Sequence, residues 1–151
     1  MHAWSDLEAA APDIAAAARR LLWIPGVGFG YLATVGRTGA PRIHPINIAI
    51  VDGRLVTFIV PSPKREDLRR DGRFALHSTG SETENDEVAI TGRAVECEDD
   101  PTFRLLAVAA MPFDVPVEHH LFELGIEAVL WGAYPTPPAF PPVYHRWPPR
   151  P

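Results

Sequence analysis

The sequence predicts a mainly β fold with peripheral helices, a small antiparallel barrel or closed two-sheet meander in a single domain over residues 1–151. Three observations carry this. Short β-rich runs recur along the chain, turn signals separate the first of them at Arg37-Thr38-Gly39-Ala40 and Asp52-Gly53, and helical periodicity is confined to three short stretches.

At the N-terminus (residues 1–24), Ser5-Asp6-Leu7-Glu8 reads as a capping box, and Leu7, Ala11, Ile14, Ala18 and Leu21 recur at helical spacing. Pro12 kinks this helix or restarts it, Pro25-Gly26 ends it, and Trp4 and Trp23 flank it as packing residues. Residues 29–36, 42–51 and 54–60 then form a meander of three antiparallel strands, with Asp52-Gly53 as the sharpest hairpin signal. A helix follows, with Ser62 as N-cap, Pro63 at its first position and Gly72 as its stop.

Residues 73–78 and 87–97 are the fourth and fifth strands, joined by the polar loop 79–86; Gly92 marks a bulge or a close backbone approach. Carboxylates at 98–100 precede a helix to residue 110 with Phe103, Leu106 and Ala110 as its buried stripe. Residues 125–134 are a sixth strand, with Ile126, Ala128 and Leu130 opposite Val129 and Trp131. The tail from 135 to 151 holds eight of the 17 prolines, so only 143–147 is able to pair as a strand.

Composition narrows the function. A net charge of −5 leaves no broad basic face, which argues against nucleic acid or an anionic membrane as partner. The single cysteine, Cys97, excludes an internal disulfide and a cysteine metal pair, and suits packing in a reducing cytoplasm. His119 and His120 are sequence neighbours whose imidazoles diverge on a helix, so no metal site is expected. No apolar run is long enough for a spanning helix, and acidic residues interrupt the N-terminus, so neither membrane insertion nor export is expected.

The helix at 63–71 opens with the wrong charge. Lys64 and Arg65 occupy the first turn, where a cation is unfavourable by about 0.3–1 kcal/mol. Either Glu66 and Asp67 offset two solvated side chains, or an anion sits at the free N–H groups. By the period-two rule Arg42, His44, Ile46, Ile48 and Ile50 share a strand face, so Arg42, His44 and Lys64 would line a pocket with an anion at one end and a flat apolar body along the isoleucines. Pro45 interrupts the donors of this strand, which fits an edge position or a ligand-facing one.

The succession YLATV, GAPRIHPINIAI, DGRLVTFIVPSPKREDLRRDGRFALH and EVAITGRAV, within residues 22–98, resembles the pyridoxamine 5′-phosphate oxidase-like superfamily of flavin-binding split β-barrels, which includes deazaflavin-dependent reductases. The resemblance implies a Greek-key antiparallel split barrel of the FMN-binding type, assembled as a homodimer with cofactor at the interface. It implies phosphate contacts from Arg42, Ser62 and Lys64, with Arg65 nearby. Main chain of Ile43, His44, Pro45, Ile46 and Asn47, and of Thr57, Phe58 and Ile59, would meet the ring, and Trp131 would lie beside the partner's flavin.

Glu87 stands where oxidases of the vitamin B6 type carry Gln, and their Arg-x-His substrate clamp is reduced here to His145-Arg146-Trp147, so B6 oxidation itself is not implied. What remains is a flavin-dependent oxidoreductase passing a hydride to or from a small planar substrate, with FMN as cofactor and coenzyme F-420 as the alternative. The rival is a non-catalytic protein that stores or senses a flavin or haem, with His44, His77 and His145 as candidate axial ligands. A barrel without a cofactor is the plainest alternative.

Overall fold

The computed structural model describes residues 1–24 and 26–149, so Pro25 and the last two residues of the tail lie outside it. Helices α1 (Trp4–Ala10) and α2 (Pro12–Leu22) meet at Ala11, where Pro12 restarts the helix. The cap of α1 differs from the expected box. Ala3 is the N-cap, and the Asp6 carboxylate accepts its backbone N–H at 2.8 Å, while Ser5 lies inside the helix with its N–H on the Gly53 carbonyl. Trp4, Leu7, Ile14, Ala18 and Leu21 are buried against the sheet, which accounts for the helical periodicity of the N-terminus.

The sheet strands are β1 (Phe29–Val35), β2 (Pro41–Asn47), β3 (Ala49–Val51), β4 (Arg54–Ile59), β5 (Arg73–His77), β6 (Glu87–Glu96), β7 (His120–Ala133) and β8 (Val143–Trp147). They are ordered β2-β1-β5-β6-β7-β4-β3, with β8 also on β7, and every pairing is antiparallel. The expected second strand is in fact two, parted at Ile48. Its first half pairs with β1 and its second with β4, so one nearly continuous segment closes the sheet into a barrel by changing neighbours. Gly28 permits the change: its carbonyl takes the Ile48 N–H at 3.0 Å, and a Cβ there would lie 2.1 Å from the Ile48 carbonyl. Asp52 and Gly53 both have positive φ, as the tight β3–β4 hairpin requires.

Two further strand boundaries differ from expectation. Strand β7 begins at His120 rather than residue 125, because its first residues pair with β4 while its far end pairs with β8. Its register against β6 shifts at Thr91/Gly92, where Gly92 faces Ile126 and Thr91 faces Ala128. The bulged residue is Glu127, and it reverses the alternation, so Ile126 and Val129 both enter the core.

Helix α3 (Pro63–Arg70) packs across β1 and β6, and α4 (Pro101–Ala109) covers β3. Asp100 caps α4 by accepting the Phe103 N–H at 2.9 Å. Its buried side is Phe103 and Ala107, continued by Met111; Leu106 is 47% exposed, so the stripe is set one position off the expected spacing. Cys97 packs in this second cluster, where burial pushes its thiol up to about 11. No helix among the described residues is long and apolar enough to cross a membrane.

The C-terminal end of α3 is tied to β6 by a two-pronged ion pair, Arg69 Nε and Nη2 donating to Glu96 at 2.8 and 2.7 Å. Arg69 foremost, with His120, holds the Glu96 carboxyl down at about 2, against 4.5 in the unfolded chain. The folded form is the weaker proton binder, so this stabilisation is complete above pH 4.5 and is lost as pH falls toward 2. Glu96→Gln is expected to be destabilised by about 1–2 kcal/mol at neutral pH, with a flatter urea midpoint between pH 5 and pH 3 than wild type.

Candidate functional site

The change of partners at Ile48 leaves a seam. Pairing of β3 with β4 stops at Ala49 opposite Val56, and beyond it Ile43–Asn47 and Thr57–Ile59 diverge with no strand between them. Thr57 Oγ1 donates to the Asn47 carbonyl at 2.7 Å, so that carbonyl points away from β1. Backbone polar groups alternate sides along an antiparallel strand, which turns those of Ile43 and Pro45 to the same open edge. Pro45 therefore sits on the terminal strand of the ladder, with its missing N–H on the unpaired side.

The side chains around this seam only partly follow expectation. Ile46 and Ile48 are buried in the main core and Ile50 packs against it, so the isoleucine face fills the barrel rather than lining a slot. Phe58 faces the cluster under α4, and Thr57 and Ile59 are fully buried, so this segment can offer a ligand little but backbone. Ile43, at 69% exposed, lies on the outer face of the sheet.

Three sequence-selected cations diverge in role. Lys64, in the first turn of α3, lies within electrostatic range of His44, as does Arg42; among the described residues Lys64 has no carboxylate partner, and burial lowers its pKa. Arg42 places Nε 3.2 Å from the Asp67 carboxylate and is otherwise 43% exposed. Arg65 turns away, donating through Nη1 to the Glu118 carbonyl at 3.0 Å, because adjacent helical positions point in different directions. Ser62 starts the helix but does not cap it, since its hydroxyl donates to the Val60 carbonyl at 2.9 Å.

His44 lies among these charges. Burial first, then Lys64 and Arg42, lower its pKa against the opposing pull of Asp67, and so disfavour the charged ring. Its Nε2 is buried without a partner among the described residues. A partnerless half-buried ammonium, an orphan imidazole nitrogen and two unpaired strand edges together suit a ligand with an anionic end and a hydrogen-bonding flat body.

No family model and no curated protein matches the chain. Solved structures do. A haem-binding protein from Mycobacterium smegmatis superposes with a TM-score of 0.61 at 19% identity, over 77% of this chain and 53% of that one. An FAD-binding protein from Mesorhizobium loti gives 0.58 at 23%, over 73% and 85%, and an F-420 reductase 0.57 at 20%, over 74% and 94%. The fold is the split β-barrel that these structures share. This split barrel spans about half the length of the mycobacterial protein it matches.

Trp131 lies elsewhere on the split barrel. The ladder puts Arg42 in one row with Thr34, Phe74, Gly92 and Ile126, while Trp131 pairs with Val88, five positions further along β7 or roughly 16 Å. It stacks on His145 at 4.6 Å and donates to the Asp86 carboxylate at 3.0 Å, beside a cavity of about 760 Å³ walled by α2. Of the other histidines, His77 is engaged with the Ser78 carbonyl at 2.7 Å. Among the described residues no cluster of three or more metal-ligating side chains occurs.

Asp67 is offered by the sequence only as a counter-charge to Lys64 and Arg65. It is 3% exposed, one turn beyond Lys64 on the same helix face, and meets Arg42, Arg70 and Thr34 at 3.2 Å each. The signal was present in the spacing of Lys64 and Asp67 and in the polar Thr34 of an otherwise apolar strand, but only the packing of α3 on β1 brings Asp67 to Thr34.

Proposed function

We propose that this split barrel is a flavin-dependent oxidoreductase that holds FMN along the seam between β2 and β4, with coenzyme F-420 as the alternative ligand. The observation that carries the reading is Lys64: a half-buried cation without a counter-charge among the described residues, within electrostatic range of His44 together with Arg42. Lys64 and the outward Nη groups of Arg42 bind the phosphate. Ser62 adds its hydroxyl only by releasing Val60, and Arg65 contributes no direct contact while it holds Glu118. Backbone groups of Ile43–Asn47 and Thr57–Ile59 orient the ring, and His44 supports it as a hydrogen-bonding wall.

The bound flavin supplies the hydride chemistry itself. The chain's own task is to grip, orient and shield it, and the outer face of β1 and β2 suggests how shielding is completed. Tyr31 and Ile43 are 44% and 69% exposed there beside Pro45, an apolar surface suited to a second copy in a homodimer, leaving a small planar substrate to enter between subunits.

Titrating the purified protein with FMN and with coenzyme F-420, while recording its visible spectrum as isolated, tests the reading. Saturable binding of either tricycle, followed by its reduction by a hydride donor or, once reduced, its reoxidation by a planar acceptor, is expected. Binding without turnover favours the storage or sensing alternative, and a Soret band favours haem on His44, whose free Nε2 is the feature that supports this second reading.

A further inference from the structure

Asp67 is a buried carboxylate with its two oxygens assigned to different duties. Oδ1 receives Arg70 Nη1 and Nη2, both at 3.2 Å, while Oδ2 receives the Thr34 hydroxyl and lies 3.2 Å from Arg42 Nε. The Arg42 guanidinium is laid across Gly36, where a Cβ would stand 2.9 Å from the Ala40 carbonyl and 3.2 Å from Arg42 Nε, so a side chain there would crowd both the turn and the guanidinium. None of its nitrogens makes a hydrogen bond among the described residues; the guanidinium is held at Nε by the ion pair with Asp67, which leaves the Nη groups without a partner.

We propose that Asp67 is a positioning residue for the phosphate site, holding Arg42 by its Nε so that the Nη pair faces the anion beside Lys64. This rests on the phosphate reading above. A carboxylate this close to an anion site is electrostatically unfavourable, and its place there is explained by the orientation it imposes on a long, rotamer-rich side chain. Thr34 fixes Oδ2 in turn, and the β1–β2 register that sets Thr34 opposite Arg42 makes the arrangement a property of the fold.

The two roles open to Asp67 predict opposite signs. Dissociation constants for FMN and for riboflavin, which lacks the phosphate, are measured by flavin fluorescence on wild type, Asp67→Asn and Thr34→Val, with near-ultraviolet circular dichroism checking the fold. Wild type is expected to prefer FMN by about tenfold or more. Asp67→Asn should lose most of that preference with riboflavin binding unchanged, and Thr34→Val should lose about two- to fivefold of it. A preference that rises in Asp67→Asn, as removal of a nearby negative charge alone would cause, overturns the positioning role and leaves the phosphate site standing. Equal wild-type affinity for the two flavins overturns the phosphate site itself. Should Asp67→Asn fail to fold, an unchanged preference in Thr34→Val overturns the positioning role.

Discussion

Lys64→Ala is expected to weaken FMN binding by about ten- to a hundredfold, the worth of one charge-assisted hydrogen bond to phosphate, while riboflavin affinity stays as it was. The reasoning starts from the cost already present in the ligand-free chain. Lys64 is half-buried, burial depresses its pKa, and no carboxylate reaches it among the described residues. Truncation therefore relieves desolvation, and the thermal midpoint of the free protein should hold or rise. The variant would separate binding from stability, since a merely structural lysine would lose midpoint and leave the FMN to riboflavin ratio untouched. Fluorescence titration with both flavins, paired with calorimetric melting, reads the two quantities independently.

Gly92→Ala is expected to produce the largest loss of stability, roughly 3 kcal/mol, or a fall of about 6–12 °C in Tm for a domain of this size. A Cβ at position 92 would lie 1.9 Å from the Gly125 carbonyl and 3.1 Å from the Glu127 nitrogen, both backbone atoms that no rotamer change can move. The clash falls at the bulge that sets the phase of β7, so relief would require shifting the register of the longest strand. Thermal unfolding of the purified variant checks this, and a midpoint within 2 °C of wild type, about 1 kcal/mol or less, would contradict the close approach.

Much of the barrel was legible locally. Asp52-Gly53 marked its hairpin because two consecutive positive φ angles suit few other residue pairs, and Gly92 announced the close backbone approach beside the β7 bulge because strand interiors rarely tolerate a missing side chain. Pro63 and Gly72 bounded α3 for reasons contained in the segment itself. The parting at Ile48 was not legible. Nothing within residues 42–51 changes character there, and the change of partner depends on Gly28, twenty residues away.

The same distinction applies to the site. Period-two alternation grouped Arg42 with His44 on one face, and the structure sets Lys64 of α3 within electrostatic range of His44. It could not tell that the isoleucines of that face point into the barrel, because an apolar face reads alike whether protein or ligand covers it. Lys64 and Arg65 looked equivalent as neighbours in a first turn, yet one helical step sends Arg65 to Glu118. Asp67 was read as an ordinary counter-charge in solvent, and its burial emerges only when β1 and α3 are packed together.

Crystals of the protein grown with FMN offer the most direct measurement. The phosphorus is expected within hydrogen-bonding reach of Lys64 Nζ and the Nη groups of Arg42, with the ring edge along the backbone of residues 43–47. Density for the flavin confined to the groove beside Trp131 and His145, with Lys64 untouched, would contradict the assignment of the seam as the binding site.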